Sequence, residues 1–351
     1  MNIARQRCMV CLAAMALATT AAAAEKPWRG GWCGIGNIEK TVEVAKELHF
    51  NALIAHGSTK RMVAFTELCQ KNGIESYYWY SPIARGKEQE PLRQVMSPED
   101  EAAMAALKAD KDPAKHGYQF GGEPVPGRHD VLLTRLLCFH RPEVVAYSQK
   151  KIREMLDACP ALTGVAFDYF GYQNYHCCHC PHSEKLFQEF RRAHPLLGEG
   201  AAREQFSLDT LVTFTNDLAA FVRKVRPGAK VAIHVYPTFV PQPVYGNRLD
   251  VDYCCQTVAW FFKPYWSREK ITHHTRVVVE QAKRFHPRQQ GIPFVGVYVG
   301  RPYADKNPAR LAEELAIIRE SGGTTSLSVC SFNEFVKHPE VRKVVKDWVG
   351  D

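Results

Sequence analysis

The segment LTGVAFDYFGYQNYHCCHCPHS, Leu162 to Ser183, decides how the rest of the chain is read. Its first half is an apolar run (Leu162, Val165, Ala166, Phe167) that ends in one carboxylate, Asp168, among aromatic residues. Its second half is a knot of cysteine and histidine. Short apolar runs bounded by turn residues form strands covered on both faces, as in parallel sheets. A carboxylate where such a strand ends is costly to keep dry. Asp168 therefore faces an open cleft or is paired, and the sequence leaves both readings open.

Outward from this strand the same alternation repeats. Gly30 to Gly36, Asn51 to His56 and Ile74 to Tyr80 precede it as strands, and Lys230 to Tyr236, Asp252 to Trp260, Phe294 to Gly300 and Thr324 to Ser331 follow. Between them lie helical patterns: one capped by Asn37, one from Ser58 or Thr59 to a stop at Gly73, and one opened by Pro142 and running to Leu156. Later helices start at Ser183, Leu208, Ser267, Pro308 and Pro339. Strands separated by helical crossovers call for a parallel sheet. Eight such units without a dinucleotide fingerprint predict an α/β fold, a (β/α)8 TIM barrel, over an open doubly wound sheet. The glycines of Gly30 to Gly36 lack the order of a phosphate loop and read as a tightly packed first strand. Residues 81–140 form a long insertion after strand 3, of the kind that serves as a lid or binding loop; Pro98 to Lys108 is its one helical stretch. The weakest unit is Pro237 to Asp250, a Pro-rich loop where a helix is expected.

The chain opens with Arg5 and Arg7, an apolar stretch from Met9 to about Thr19, and small residues up to Ala24. This is the pattern of a secretory signal peptide over residues 1–24, cleaved near Ala24, and it predicts a secreted or periplasmic protein whose residues 25–351 form a single barrel domain. No later apolar run reaches membrane-helix length, so no membrane insertion is expected. Losing the two arginines lowers the net charge from +8 to +6. Acids separate the remaining basic residues, which argues against a nucleic-acid partner.

In such barrels the site lies at the C-terminal ends of the strands. Those ends carry His56, Trp79 and Tyr80, then Asp168, Tyr169 and Tyr172, then His234 and Tyr236, then Trp260, Tyr298 and Glu334. Aromatic faces with a few acids and histidines suit a sugar ring, which stacks on one face and offers hydroxyls for hydrogen bonds. The histidines, Tyr236 and Trp260 read equally well as core residues. Glycoside hydrolysis requires two carboxyls. Asp168 is the first candidate, and Glu334 is paired with it by elimination, because Asp250 and Asp252 precede their strand and fall at the opposite end. Such chemistry needs no cofactor. Two other classes stay open: a carbohydrate-binding barrel without catalysis, and a metal-dependent hydrolase using His56, Asp168 and His234.

The cluster His176 to Cys180, with His182 and an upstream Cys138, offers ligands suited to a structural zinc. The expected set is Cys138, Cys178, Cys180 and His182. A disulfide and free thiols are the alternatives. After processing, ten cysteines remain of the 12 in the chain, several of them within predicted strands or helices.

The segments LCFHRPE (residues 137–143), GVAFDYFGY (residues 164–172) and CHCPH (residues 178–182) resemble the TIM-barrel proteins described as glycoside hydrolase-like. In those, an Asp-Tyr/Phe pattern on strand 4 leads into a Cys-x-Cys-Pro segment. The resemblance is strongest over residues 137–183, and it implies a barrel, a carbohydrate substrate and Asp168 as the site acid. In one respect the chain also resembles the zinc-cluster β-galactosidases, with Cys138 before the helix and Cys178-x-Cys180 after strand 4. It departs from them at Ser183, which stands where their third cysteine of that run would be, and at Asp168, which lacks their Asn-Glu pair.

Overall fold

The computed structural model describes residues 26–98, 101, 102, 105, 135–170, 178–235, 245–263, 265–285, 289–301 and 304–350. Eight parallel strands close into a barrel in which each pairs with the next in chain order and the eighth returns to the first. They are β1 (Arg29–Gly34), β2 (Ala52–His56), β3 (Glu75–Tyr80), β4 (Gly164–Phe167), β5 (Lys230–Val235), β6 (Tyr253–Ala259), β7 (Gln290–Gly296) and β8 (Leu327–Cys330). Around them run α1 (Ile38–Glu47), α2 (Thr59–Lys71), α3 (Pro142–Ala158), α4 (Pro181–Ala193), α5 (Glu199–Val225), α6 (Arg268–Phe285), α7 (Pro308–Gly322), a short α8 (Asn333–Lys337) and α9 (Pro339–Gly350). The predicted (β/α)8 barrel is the fold observed. Among the described residues no helix is long and apolar enough to cross a membrane. The expected signal segment lies outside the described residues.

Local chemistry sets the boundaries. Asn37 accepts the Lys40 N–H at 2.9 Å and caps α1, and Asn307 does the same for Arg310 ahead of Pro308 in α7. Pro181 opens α4 two residues before the expected Ser183, because its fixed φ and missing N–H suit the first helical position. α5 begins at Glu199, well before Leu208. β7 begins four residues earlier than the sequence indicates. Pro293 is accommodated there because β8 joins β7 only from Phe294 onward, so Pro293 lies where β6 alone runs alongside. Between β5 and β6 the described residues hold only a 3-10 turn, Tyr245–Arg248. The two described ends of the 81–140 insertion are bridged to each other, Ile83 with Leu136 and Arg93 with Leu137.

Alternation fills the lumen. At its N-terminal end the Glu75 carboxylate pairs with Lys230 and accepts the Tyr77 hydroxyl at 2.6 Å, while Lys230 Nζ donates to Tyr253 Oη at 3.1 Å. Trp28 stacks on Tyr253 with ring centroids 4.5 Å apart. Higher up, Trp32 donates to Ser328 Oγ at 2.9 Å, tying β1 to β8.

Gly164 marks the tightest approach between strands. A Cβ there would lie 1.9 Å from the Lys230 carbonyl oxygen of β5. Gly164→Ala is expected to destabilise the fold by about 1–3 kcal/mol or more, read as a lower urea-unfolding midpoint; an unchanged midpoint would mean that the strand pair opens at no cost.

Candidate functional site

Asp168 follows the last residue of β4, and its backbone N–H donates to Tyr80 O at 3.0 Å, continuing the ladder one step. Its side chain is 2% exposed. Oδ2 accepts the Trp79 indole N–H at 3.1 Å, Oδ1 accepts the Tyr169 backbone N–H at 2.8 Å, and His234 Nδ1 lies 3.0 Å from the same Oδ1. With Nδ1–H aimed at the carboxylate, Nε2 of a neutral ring accepts the Thr257 hydroxyl at 2.8 Å. The imidazole lies flat on Phe294, centroids 3.8 Å apart. Tyr169 holds φ +60, a left-handed conformation uncommon for a residue with a Cβ. Its amide is the one that meets Asp168.

Around this centre the other candidates divide. Trp79 is half-buried and carries the exposed His56 edge-on, centroids 4.9 Å apart. Partial desolvation of the ring against Trp79 and the Arg85 guanidinium hold His56 below its ordinary pKa, against the pull of Asp168. Tyr298 is half-buried beside Phe261 and Phe262, with the Arg301 guanidinium 3.9 Å over its ring. Glu334, in α8, is 4% exposed, and its carboxylate lies 3.4 Å from His338 Nε2. Burial raises the Tyr298 phenol and the Cys330 thiol, and Asp168 and Glu334 both add to each rise, so the two carboxylates act on the same pair of groups.

Tyr80 and Trp260 do not face this centre. Tyr80 follows Trp79, so strand alternation turns it outward, where its hydroxyl donates to Ser148 of α3 at 2.7 Å. Trp260 is 1% exposed and packs parallel to Trp266. Its neighbour Phe261, beyond the register shift between Thr257 and Ala259, approaches His234 and Phe294 instead. Tyr169 is half-buried beside Asp168. Tyr172 and Tyr236 lie outside the described residues.

No protein-family model and no curated protein matches the sequence. Solved glycoside hydrolase domains share this fold. The PgaB (BpsB) glycoside hydrolase domain from Bordetella bronchiseptica matches with a TM-score of 0.59 at 14% identity, over 92% of this chain and 99% of that one. The cold-adapted β-galactosidase from Rahnella sp. R3 matches with a TM-score of 0.59 at 11% identity, over 92% of this chain and 55% of that one. The β-galactosidase from the Antarctic haloarchaeon Halorubrum lacusprofundi gives 0.58 at 11%, over 92% and 57%. This chain thus spans little more than half the length of those β-galactosidases. At such identities the likeness is one of fold.

Beside the barrel mouth the sulfurs of Cys138, Cys178 and Cys180 lie within 4.8 Å of one another, all buried. Among the described residues this is the one group of three or more such ligating side chains drawn together. Ser183 Oγ is 3.3 Å from Cys138 Sγ and 3.2 Å from Cys180 Sγ. The backbone N–H groups of Val95 and Cys180 point at Cys178 Sγ from 3.2 and 3.4 Å. His182 is not part of this group. It is exposed, with Nε2 3.1 Å from the His140 carbonyl oxygen, because position 182 faces away from the first turn of α4 while position 183 faces in. His140 Nδ1 instead contacts Ser183 Oγ at 2.8 Å. Three soft donors with backbone N–H groups aimed at one sulfur fit a thiophilic cation such as zinc, with the Ser183 hydroxyl at the fourth corner. A catalytic metal on His56, Asp168 and His234 fits less well, since both His234 nitrogens are engaged.

The sequence reading also missed a buried ion pair under the mouth. Lys306 and Glu314 are both fully buried and 2.7 Å apart, and Lys306 Nζ also donates to the carbonyls of Trp260 and Gly296 at 2.9 and 2.6 Å. Arg310 Nε covers the other carboxylate oxygen at 2.9 Å. This pair fastens the ends of β6 and β7, which carry Phe261 and Tyr298. Lys306→Met leaves the buried Glu314 carboxylate with Arg310 alone and frees the carbonyls of Trp260 and Gly296, and is expected to cost about 3 kcal/mol. Adding Glu314→Leu should recover part of that loss in urea unfolding; equal midpoints for wild type and Lys306→Met would reject the role.

Proposed function

We propose that this chain is an exported glycoside hydrolase acting on a polysaccharide or oligosaccharide, with Asp168 and Glu334 as its carboxyl pair. The observation that carries the reading is Asp168 itself, a buried acid held by three donors at the barrel mouth beside the indole of Trp79. Both Asp168 oxygens serve as acceptors, which suits the member of the pair that stays a carboxylate and stabilises positive charge at the anomeric carbon or activates its attacker. Glu334 then delivers the proton to the leaving oxygen. Trp79 and Tyr298 offer faces for a sugar ring. The matches to glycoside hydrolase domains support the class through fold alone, and the leader-like N-terminus supports export.

The test is reducing-end release by residues 25–351 across a broad glycan panel, with Asp168→Asn alongside. Asp168→Asn should lower turnover by about 10²–10⁴-fold; because its amide nitrogen cannot accept from the donor that faced the replaced oxygen, it should also cost about 1–3 kcal/mol in urea unfolding, so turnover is compared where both proteins are folded. Equal turnover by parent and variant would remove Asp168 from the chemistry. The full engagement of Asp168 by donors also favours a second reading, a barrel that binds carbohydrate without cleaving it. Binding by both proteins with no cleavage by either would establish that one.

We further propose that Cys138, Cys178 and Cys180 hold a structural zinc, with Ser183 beside it. Elemental analysis of the purified protein should find about one zinc per chain, released by a mercurial reagent together with a loss of thermal stability. Metal-free protein with three titratable thiols at these positions, or with a disulfide among them, would exclude it.

A further inference from the structure

Charge at the barrel mouth is unevenly satisfied. Two acids there are buried and engaged, Asp168 by Trp79, Tyr169 and His234, and Glu334 by His338. Two arginines beyond the strand ends, Arg301 and Arg85, are exposed and lack a carboxylate partner among the described residues. Arg301 follows β7, with its guanidinium carbon 3.9 Å from the Tyr298 ring centroid; Arg85 lies five residues beyond β3, and its charge lowers the pKa of His56 at the end of β2. Among the described residues neither guanidinium forms an ion pair or a side-chain hydrogen bond. Elsewhere arginines find carboxylates, as Arg203 does with Glu184, Arg223 with Asp252, and Arg310 with Glu314. Among the described residues these guanidiniums therefore offer unpaired positive charge at the rim, while the Asp168 and Glu334 carboxylates sit deeper and are already engaged; Asp305, on the same loop as Arg301, accepts the Gly300 N–H at 2.7 Å.

A guanidinium laid on an aromatic ring keeps its N–H edge directed outward and loses little rotamer freedom on meeting an anion. Forked donors of this kind match the two oxygens of a carboxylate or sulfate. With Tyr298 and Trp79 as stacking faces, the arrangement combines a sugar platform with two anion-binding corners on strands that are not neighbours. The net charge of +6 on residues 25–351 adds attraction at longer range.

Building on the carbohydrate reading above, we infer that the substrate is a glycan bearing anionic groups, carboxylates or sulfates, which Arg301 and Arg85 bind at the rim of the barrel. The experiment measures binding of the full mature chain to polygalacturonate, dextran sulfate, neutral dextran and chitosan oligomers at low and physiological salt. It is repeated for Arg301→Gln and Arg85→Gln, with Arg276→Gln, exposed on α6, as the distant control. At least one anionic probe should bind more tightly than dextran and chitosan. Each rim variant should weaken that binding about tenfold, and the control should leave it unchanged. Polygalacturonate and dextran sulfate separate a carboxylate from a sulfate. Preference for a neutral or cationic probe, no binding to any probe, or equal weakening in Arg276→Gln would overturn the inference. Because all three side chains are exposed, unfolding midpoints should stay at the parent value. Arg-dependent binding without cleavage would uphold the anionic ligand and remove the hydrolase, whereas cleavage of neutral dextran with no effect of the rim variants would do the reverse.

Discussion

A carboxylate buried in the mouth of an apolar barrel dictates what must surround it. An uncompensated ion there would cost several kcal/mol, and Asp168 avoids that cost through donors drawn from different strands. Trp79 reaches it from β3 and His234 from β5, while Tyr169 contributes its amide from the turn after β4. The set does not end at first neighbours. His234 is held by Thr257 of β6 and by the face of Phe294 of β7. Trp32 of β1 packs edge-on against Trp79 and donates to Ser328 of β8, and His56 of β2 meets Trp79 from the other side. All eight strands thus bear on one charge, and a displacement of any of them is felt at its oxygens.

Two further features show where this barrel spends stability. Tyr169 sits at φ +60, a conformation that costs a residue with a Cβ about 1–3 kcal/mol, and the hydrogen bond from its amide to Asp168 offsets part of it. Lys306 and Glu314 bury two opposite charges to fix the strand ends that present Phe261 and Tyr298. Hydrophobic side chains could have filled that space at least as stably. What the ion pair supplies is direction, since Lys306 binds the carbonyls of Trp260 and Gly296 at defined angles. Rigid walls around a pre-organised carboxylate are what catalysis by positioning requires.

Much of this was legible in the sequence because strand alternation and helix capping are local signals. The order of the eight strands follows from apolar runs broken by capped helices, and Asp168 stands out as the one acid that ends an apolar strand. What stayed hidden depends on parity and on distance. Tyr80 and Trp260 are aromatic residues at strand ends, yet each lies one position from the inward-facing residue, Trp79 or Phe261. Alternation counted from Thr257 does not carry to Phe261, because the β6 register shifts between Thr257 and Ala259. Lys306 gave no signal, because its partner Glu314 lies two turns into the next helix and its burial depends on loops that close only in three dimensions. Ser183 was visible as a helix start, but Pro181 opens the helix and leaves the serine hydroxyl facing the sulfurs, while His182, the more obvious ligand, turns to the His140 carbonyl.

The sulfur cluster gains its meaning from the segments it joins. Cys138 and Val95 belong to the insertion after β3, and Cys178, Cys180 and Ser183 to the stretch after β4. The link runs both ways, since Val95 N–H meets Cys178 Sγ and His179 N–H donates to Val95 O at 2.9 Å. The first of these segments starts just beyond Trp79, the second just beyond Asp168. Left independent, two such long excursions would add conformational freedom at the residues that must keep an indole N–H within 3.1 Å of a carboxylate. Cross-linking distant points of two loops removes that freedom at small cost to each. Restraint at the sulfurs is therefore restraint on the Trp79 to Asp168 hydrogen bond, which places the cluster in support of the site even though it lies outside it.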